Sequence, residues 1–307
     1  MAVSKIDVSK IDSGDVKNLT RQTASINGNT YGYLHAEPET GFTQTIISDA
    51  PTDSLQSYAF KFQVDDSYEL CKSLGCASAI VAGHDWGSIM ATHFALWHPS
   101  FVTHLVTVAV PFFPPSKDYA PLEAVIKQMP LLGYQLQWGS AEGIIENFTK
   151  EEDGMRKFLR AAYGGLTPEG EYPFTPENGY DFDRLPSVGD PALLDAKEQD
   201  YYVQEFSRNG MQGPCNYYRT TQANFEATRP LLDRVDGGRL KCPYLFVRAM
   251  EDILVTDEWV AFMVQHVDQL VVKEVDAGHW ALWKKPKEVN EVLREWLESR
   301  NLLWSGK

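Results

Sequence analysis

The stretch that most constrains this chain is Ala79-Ile80-Val81-Ala82-Gly83-His84-Asp85-Trp86-Gly87-Ser88-Ile89-Met90. A short apolar run rich in β-branched residues meets a Gly-x-Asp-x-Gly turn, and a helical pattern follows. Such a strand-to-helix turn projects one reactive side chain above a parallel sheet, the form of a nucleophile elbow. Gly83 and Gly87 are expected to flank it because a Cβ at either would collide as strand and helix close on each other. The projected group here is a carboxylate. A carboxylate suits attack on a saturated carbon, forming an ester on the protein that water must then cleave. An Asp at this place can also be a plain helix N-cap, so the rest of the chain has to agree.

Upstream, Thr23–Ile26, the turn Asn27-Gly28 and Thr30–His35 read as a β-hairpin, and Phe42–Ile47 as a further strand. A helix is expected from about Ser57 to Leu74, with Phe60, Val64, Tyr68, Cys71 and Leu74 on one face and Gly75 as its stop. Ala77–Ala82 feeds the elbow, and the elbow helix should halt at Pro99. His104–Val110 is the next buried strand. Residues 112–236 then turn rich in Pro, Gly, Tyr and acidic groups, with short helical patterns and no obvious strand pairs. Sheet character returns at Tyr244–Val247, with a helix at Glu258–Val264, a strand at Leu270–Val275 and a helix at Lys287–Arg300. Strands alternating with helices on both sides of an insertion predict a parallel α/β sheet formed by 1–111 and 237–307, carrying a mainly helical cap at 112–236.

A nucleophile at Asp85 calls for an acid after a later strand and a histidine near the C-terminus, in that order. Asp252 follows Tyr244–Val247, and His279 follows the last strand in Asp276-Ala277-Gly278-His279-Trp280. An imidazole titrating near neutrality can deprotonate water, and a buried acid can fix its tautomer. Glu251 and Asp276 compete for the acid's place. Asp252 is preferred because the two apolar residues after it turn its side chain inward. His84 and His98 read as structural or solvated.

The formal charge of −14 disfavours nucleic acid and anionic membranes as partners. Cys71, Cys76, Cys215 and Cys242 form no Cys-x-x-Cys pair, which fits a reducing, cytoplasmic setting. No apolar run is long enough to span a bilayer.

Gly83-His84-Asp85-Trp86-Gly87, Asp252 and Asp276-Ala277-Gly278-His279-Trp280 together resemble the soluble epoxide hydrolases of the α/β-hydrolase superfamily. Leu132-Gly133-Tyr134-Gln135-Leu136 and Gly213-Pro214-Cys215-Asn216-Tyr217-Tyr218-Arg219 are similar to the two segments that supply that family's lid tyrosines. The resemblance implies an α/β-hydrolase fold and hydrolysis of an epoxide to a vicinal diol, with water as co-substrate and no metal or organic cofactor. It makes Asp85 the nucleophile, Tyr134 and Tyr218 the donors to the epoxide oxygen, and His279, oriented by Asp252, the base. Tyr217 reads as a packing residue. The Trp86 amide would be one donor of the oxyanion hole. An aromatic content of 12% makes an apolar or aryl epoxide the expected substrate, core packing being the plainer use of those rings.

The elbow also resembles that of haloalkane dehalogenases, against which the paired tyrosines argue. The chain departs from the family upstream of Asp85. It has no His-Gly dipeptide and no Asp-x-x-Gly-x-Gly loop, and runs from Phe42–Ile47 straight to Ser48-Asp49-Ala50-Pro51. About 30 residues of a βαβ unit are missing. They would have supplied the second oxyanion donor and the strands flanking the nucleophile strand. Two explanations remain: a stretch left out of a working enzyme, or a shortened isoform with little or no activity. The loss predicts two unpaired sheet edges, unless Phe42–Ile47 moves in beside the nucleophile strand.

Overall fold

The computed structural model describes residues 19–36, 43–45, 54–234 and 237–302. These form two compact units. The first holds the N-terminal hairpin, Gln63–Pro115 and the chain from Leu231; the second holds Ser116–Pro230 and the segment before Gln63.

In the first unit, β1 (Leu19–Ile26) pairs antiparallel with β2 (Asn29–Ala36) through Asn27-Gly28, so the hairpin is longer than its alternating core suggests. Both turn residues have positive φ, 50° and 86°, as a tight hairpin turn matching the strand twist requires. The hairpin is held by Asp66 of helix α1 (Phe60–Ser73). Asp66 is buried and accepts from Asn27 Nδ2 at 2.6 Å, Asn29 Nδ2 at 3.3 Å and the Tyr31 hydroxyl. Those bonds offset the cost of desolvating the carboxylate. α1 ends as expected: Gly75 has φ 83°, and the amides of Gly75 and Cys76 close onto the carbonyls of Lys72 and Cys71.

The main sheet is parallel, in the order β4 (Ala79–His84), β5 (Val102–Val108), β8 (Tyr244–Ala249), β9 (Leu270–Val275). Period-two alternation divides its core. Leu105, Tyr244 and Phe246 face Val64 of α1 and Phe94 of α2 (Trp86–Trp97). Val106, Val108, Leu245 and Val247 face Val289 and Trp296 of the helix Pro286–Glu298. Each fully buried aliphatic or Phe side chain there contributes roughly 1.5–3 kcal/mol. This is the parallel α/β sheet that the alternation of strands and helices predicts.

The short strand β3 (Thr43–Thr45) does not join this sheet; it pairs antiparallel with β2. Phe42, Ile46 and Ile47 lie outside the described residues. Among the described strands β4 therefore has one neighbour, β5. Its burial follows: Ile80 is 40% exposed, whereas Leu105 and Leu245 on the two central strands are fully buried.

The second unit is mainly helical, its long helices being Glu152–Ala162 and Ala196–Asn209. The latter starts on a capping box in which Asp195 and Glu198 each accept the other's backbone amide at 2.8 Å. One strand pair escapes sequence reading here: β6 (Phe174–Thr175) against β7 (Gly179–Tyr180). At two residues each, these strands are too short to show a period.

Candidate active site

Asp85 joins β4 to α2 with φ 54° and ψ −122°, a conformation that costs a side-chain-bearing residue about 1–3 kcal/mol. The elbow survives because strand and helix clamp it. A Cβ on Gly83 would sit 1.9 Å from the Gly87 carbonyl oxygen, so only glycine fits. Gly87 is different. A Cβ there meets nothing within 4 Å, so steric collision does not explain this glycine.

Three of the expected site residues meet in the first unit. His279 Nε2 lies 3.2 Å from Asp85 Oδ1, and its Nδ1 lies 2.8 Å from Asp252 Oδ2. Asp252, in the turn after β8, is buried, and its other oxygen accepts the Leu254 amide at 3.0 Å. The competing acids point away: Glu251 pairs with Lys284, and Asp276 is exposed.

The electrostatics follow from this arrangement. Burial opposes ionisation of Asp85, but the hydrogen bond and charge of His279 outweigh it and hold the carboxyl below its ordinary value. The Trp86 amide, the expected oxyanion donor, also bonds to this carboxylate. Burial likewise opposes protonation of His279, yet the hydrogen bonds it donates to Asp252 and Asp85 push it up to about 10. His279 thus holds its proton in the resting site, between Asp85 and Asp252.

His84 was expected to be structural or solvated. Its ring stands 5.0 Å from that of His279, and its Nε2 lies 2.8 Å from the His279 carbonyl oxygen, a structural contact beside the site. A carbonyl only accepts, so Nε2 carries the proton. Burial, then the charge of His279, keeps His84 below the ordinary histidine value. His98 does behave structurally, with Asp65 at 2.9 Å and its ring stacked on Tyr68.

The second unit brings Tyr134 and Tyr218 together, their ring centroids 5.9 Å apart and nearly perpendicular. Trp138 packs on Tyr218 at 5.1 Å. Tyr217 turns to Tyr58 in an edge-on contact at 5.9 Å. Among the described residues no group of three or more His, Cys, Asp or Glu side chains is placed to hold a metal ion, and no helix is long and apolar enough to cross a membrane.

A family model described as the alpha/beta hydrolase fold matches residues 41–138. Epoxide hydrolase srdG of Neurospora crassa is 34% identical over 225 residues, covering 71% of this chain and 65% of that protein. Bifunctional epoxide hydrolase 2 of Rattus norvegicus is 29% identical, covering 80% of this chain and 44% of the relative. The chain thus spans less than two thirds of the curated relatives it first matches. Among solved structures, epoxide hydrolase A of Mycobacterium thermoresistibile superposes with a TM-score of 0.71 at 21% identity, over 91% of this chain and 98% of that one. An epoxide hydrolase from an endophytic Streptomyces does so with a TM-score of 0.74 at 23% identity, over 94% and 98%. At these identities the superpositions speak for the fold.

Proposed function

We propose that this chain, 34% identical over 225 residues to an epoxide hydrolase, opens an epoxide through an ester on Asp85 and hydrolyses that ester to a vicinal diol. The observation that carries this reading is the hydrogen-bonded chain Asp252–His279–Asp85 on a strained elbow. In the first step an Asp85 oxygen attacks one ring carbon, the C–O bond breaks, and the ring oxygen leaves as an alkoxide that takes a proton. Tyr134 and Tyr218 are the donors in this proposal, on the strength of the family resemblance and their mutual contact. A phenol with an ordinary pKa near 10 is a weak enough acid to stay protonated at neutral pH and a strong enough one to protonate an alkoxide.

The second step needs a base, and an imidazolium is none. Ester formation itself supplies the change. It removes the Asp85 charge, one of the groups holding His279 up at about 10, so the proton becomes easier to lose. Neutral His279, its Nδ1–H donated to Asp252, then takes a proton from water as the water attacks the ester carbonyl. Collapse of the tetrahedral intermediate breaks its bond to the alkyl oxygen, which leaves with the proton still on the added hydroxyl, giving the diol and the Asp85 carboxylate. His279 keeps the proton taken from water, and the proton it lost after ring opening replaces the one that the tyrosine gave.

One observation favours a slow second step. The Trp86 amide is the one oxyanion donor that the family resemblance assigns to this sequence, and losing one such donor typically costs about 10²–10³-fold in turnover. Ring opening forms no tetrahedral oxyanion and escapes that cost, so the alkyl-enzyme accumulates. A chain without the second donor would then turn over poorly while still reacting once.

The test is intact mass spectrometry of the protein mixed with an aryl epoxide, beside a diol assay. A substrate-sized mass gain that is absent in Asp85→Ala is expected, with little diol. Loss of the gain in the double variant Tyr134→Phe, Tyr218→Phe would support the donor assignment. A well-folded protein that shows neither adduct nor diol would sink the proposal.

A further inference from the structure

Ser88, in the first turn of α2, is 1% exposed and touches three backbone segments. Its amide donates to the Asp85 carbonyl at 2.9 Å. Its hydroxyl lies 3.0 Å from the Gly83 carbonyl oxygen and 3.0 Å from that of Val108, so one proton is shared between the ends of β4 and β5. The same Val108 oxygen receives the Asp85 amide at 3.5 Å, long for a ladder bond. The ladder alone therefore grips the elbow weakly, and among the described strands β4 has no partner on its other side. A residue at φ 54° stays there only where its surroundings over-determine it.

We propose that Ser88 is a positioning residue for the nucleophile: its hydroxyl locks β4, β5 and α2 together and so holds Asp85 in its strained, projecting conformation. The inference rests on Asp85 being the nucleophile. The shared hydroxyl bond does for an elbow paired on one side what a second neighbouring strand would otherwise do. It acts through the backbone and makes no contact with substrate.

The experiment compares the wild-type protein with Ser88→Ala and Ser88→Cys by two readouts: hydrogen–deuterium exchange of peptides covering 83–89, and the rate of adduct formation with an aryl epoxide across its concentration range. In Ser88→Ala, exchange at the elbow rises about tenfold, the worth of one buried hydrogen bond, while β8 exchanges as before. The maximal rate of adduct formation falls by about the same factor with little change in the half-saturating concentration. Ser88→Cys, which keeps a weak donor, recovers part of both. Unchanged exchange at the elbow would overturn the proposal. So would exchange rising equally in β8, since that is general destabilisation. A wild-type protein that forms no adduct would refute the nucleophile reading instead, and elbow exchange would then decide the lock by itself.

Discussion

Replacing Asp252 by Asn separates the two chemical steps. Asn keeps the carbonyl oxygen that accepts the Leu254 amide at 3.0 Å, so the turn after β8 and the fold are retained. What changes is the 2.8 Å contact with His279 Nδ1, where a carboxylate oxygen gives way to an amide that presents hydrogens. Two donors cannot face each other at that distance, so the imidazole must put its proton on Nε2, the nitrogen that faces Asp85. A ring protonated on Nε2 cannot take a proton from water there. In catalytic triads of this geometry the wrong tautomer costs about 10⁴-fold, equivalent to about 5.5 kcal/mol on the barrier of the step that uses the base. In the proposed mechanism ring opening uses the Asp85 carboxylate and the tyrosine donors but not the base, and should change by less than about tenfold. In rapid-quench mass spectrometry Asp252→Asn should form the adduct nearly as fast as wild type and then hold it, its decay slowed by about 10³–10⁴-fold. Decay within tenfold of wild type would refute the tautomer argument. So would a loss of alkylation as large as the loss of hydrolysis.

Other outcomes follow from the same coordinates. Gly83→Ala drives a methyl to 1.9 Å from a backbone oxygen that no side-chain motion can relieve. Destabilisation at or above the usual overpacking range of about 1–3 kcal/mol is expected in thermal or urea unfolding, and a variant as stable as wild type would contradict the clamp. His279 binds its proton more tightly in the folded chain, at about 10, than at its ordinary 6.5. Its contribution to stability is therefore complete below about 6.5 and is lost as pH rises through 10, so the melting temperature should fall over that window and fall less in His279→Gln. Asp195→Ala breaks the capping box of the helix Ala196–Asn209 at a cost of about 0.5–2 kcal/mol, read by chemical denaturation, with adduct formation per folded molecule unchanged.

Much of the fold was legible because its signals are local. The Asn27-Gly28 turn, the Gly75 stop and the strand Leu270–Val275 each depend on residues within a few positions of one another. The order of Asp85, Asp252 and His279 was legible because a parallel sheet presents its strand ends on one edge. The preference for Asp252 over Glu251 rested on the two apolar residues that follow, and in the structure Asp252 is the buried member of the pair.

Other features depend on chain that is distant in sequence. β4 and β9 stand at opposite ends of the sheet order, yet the bond from His84 to the His279 carbonyl spans 195 residues and crosses that order. Asp66 ties down a hairpin 35–39 residues before it, and nothing in the amphipathic pattern of α1 marks that acid for burial. Whether the segment near Thr43 would replace a missing neighbour of β4 was a competition between two pairings; β2 took it, being joined to it by a short connection. The sequence by itself determined the reactive groups, their order and the elbow that presents one of them, since these are set by residue type and short-range backbone sterics. Only the tertiary structure decided which strand stands beside Asp85, which buried groups set its charge and which hydroxyl bonds the ends of β4 and β5, since those contacts exist only once remote segments pack.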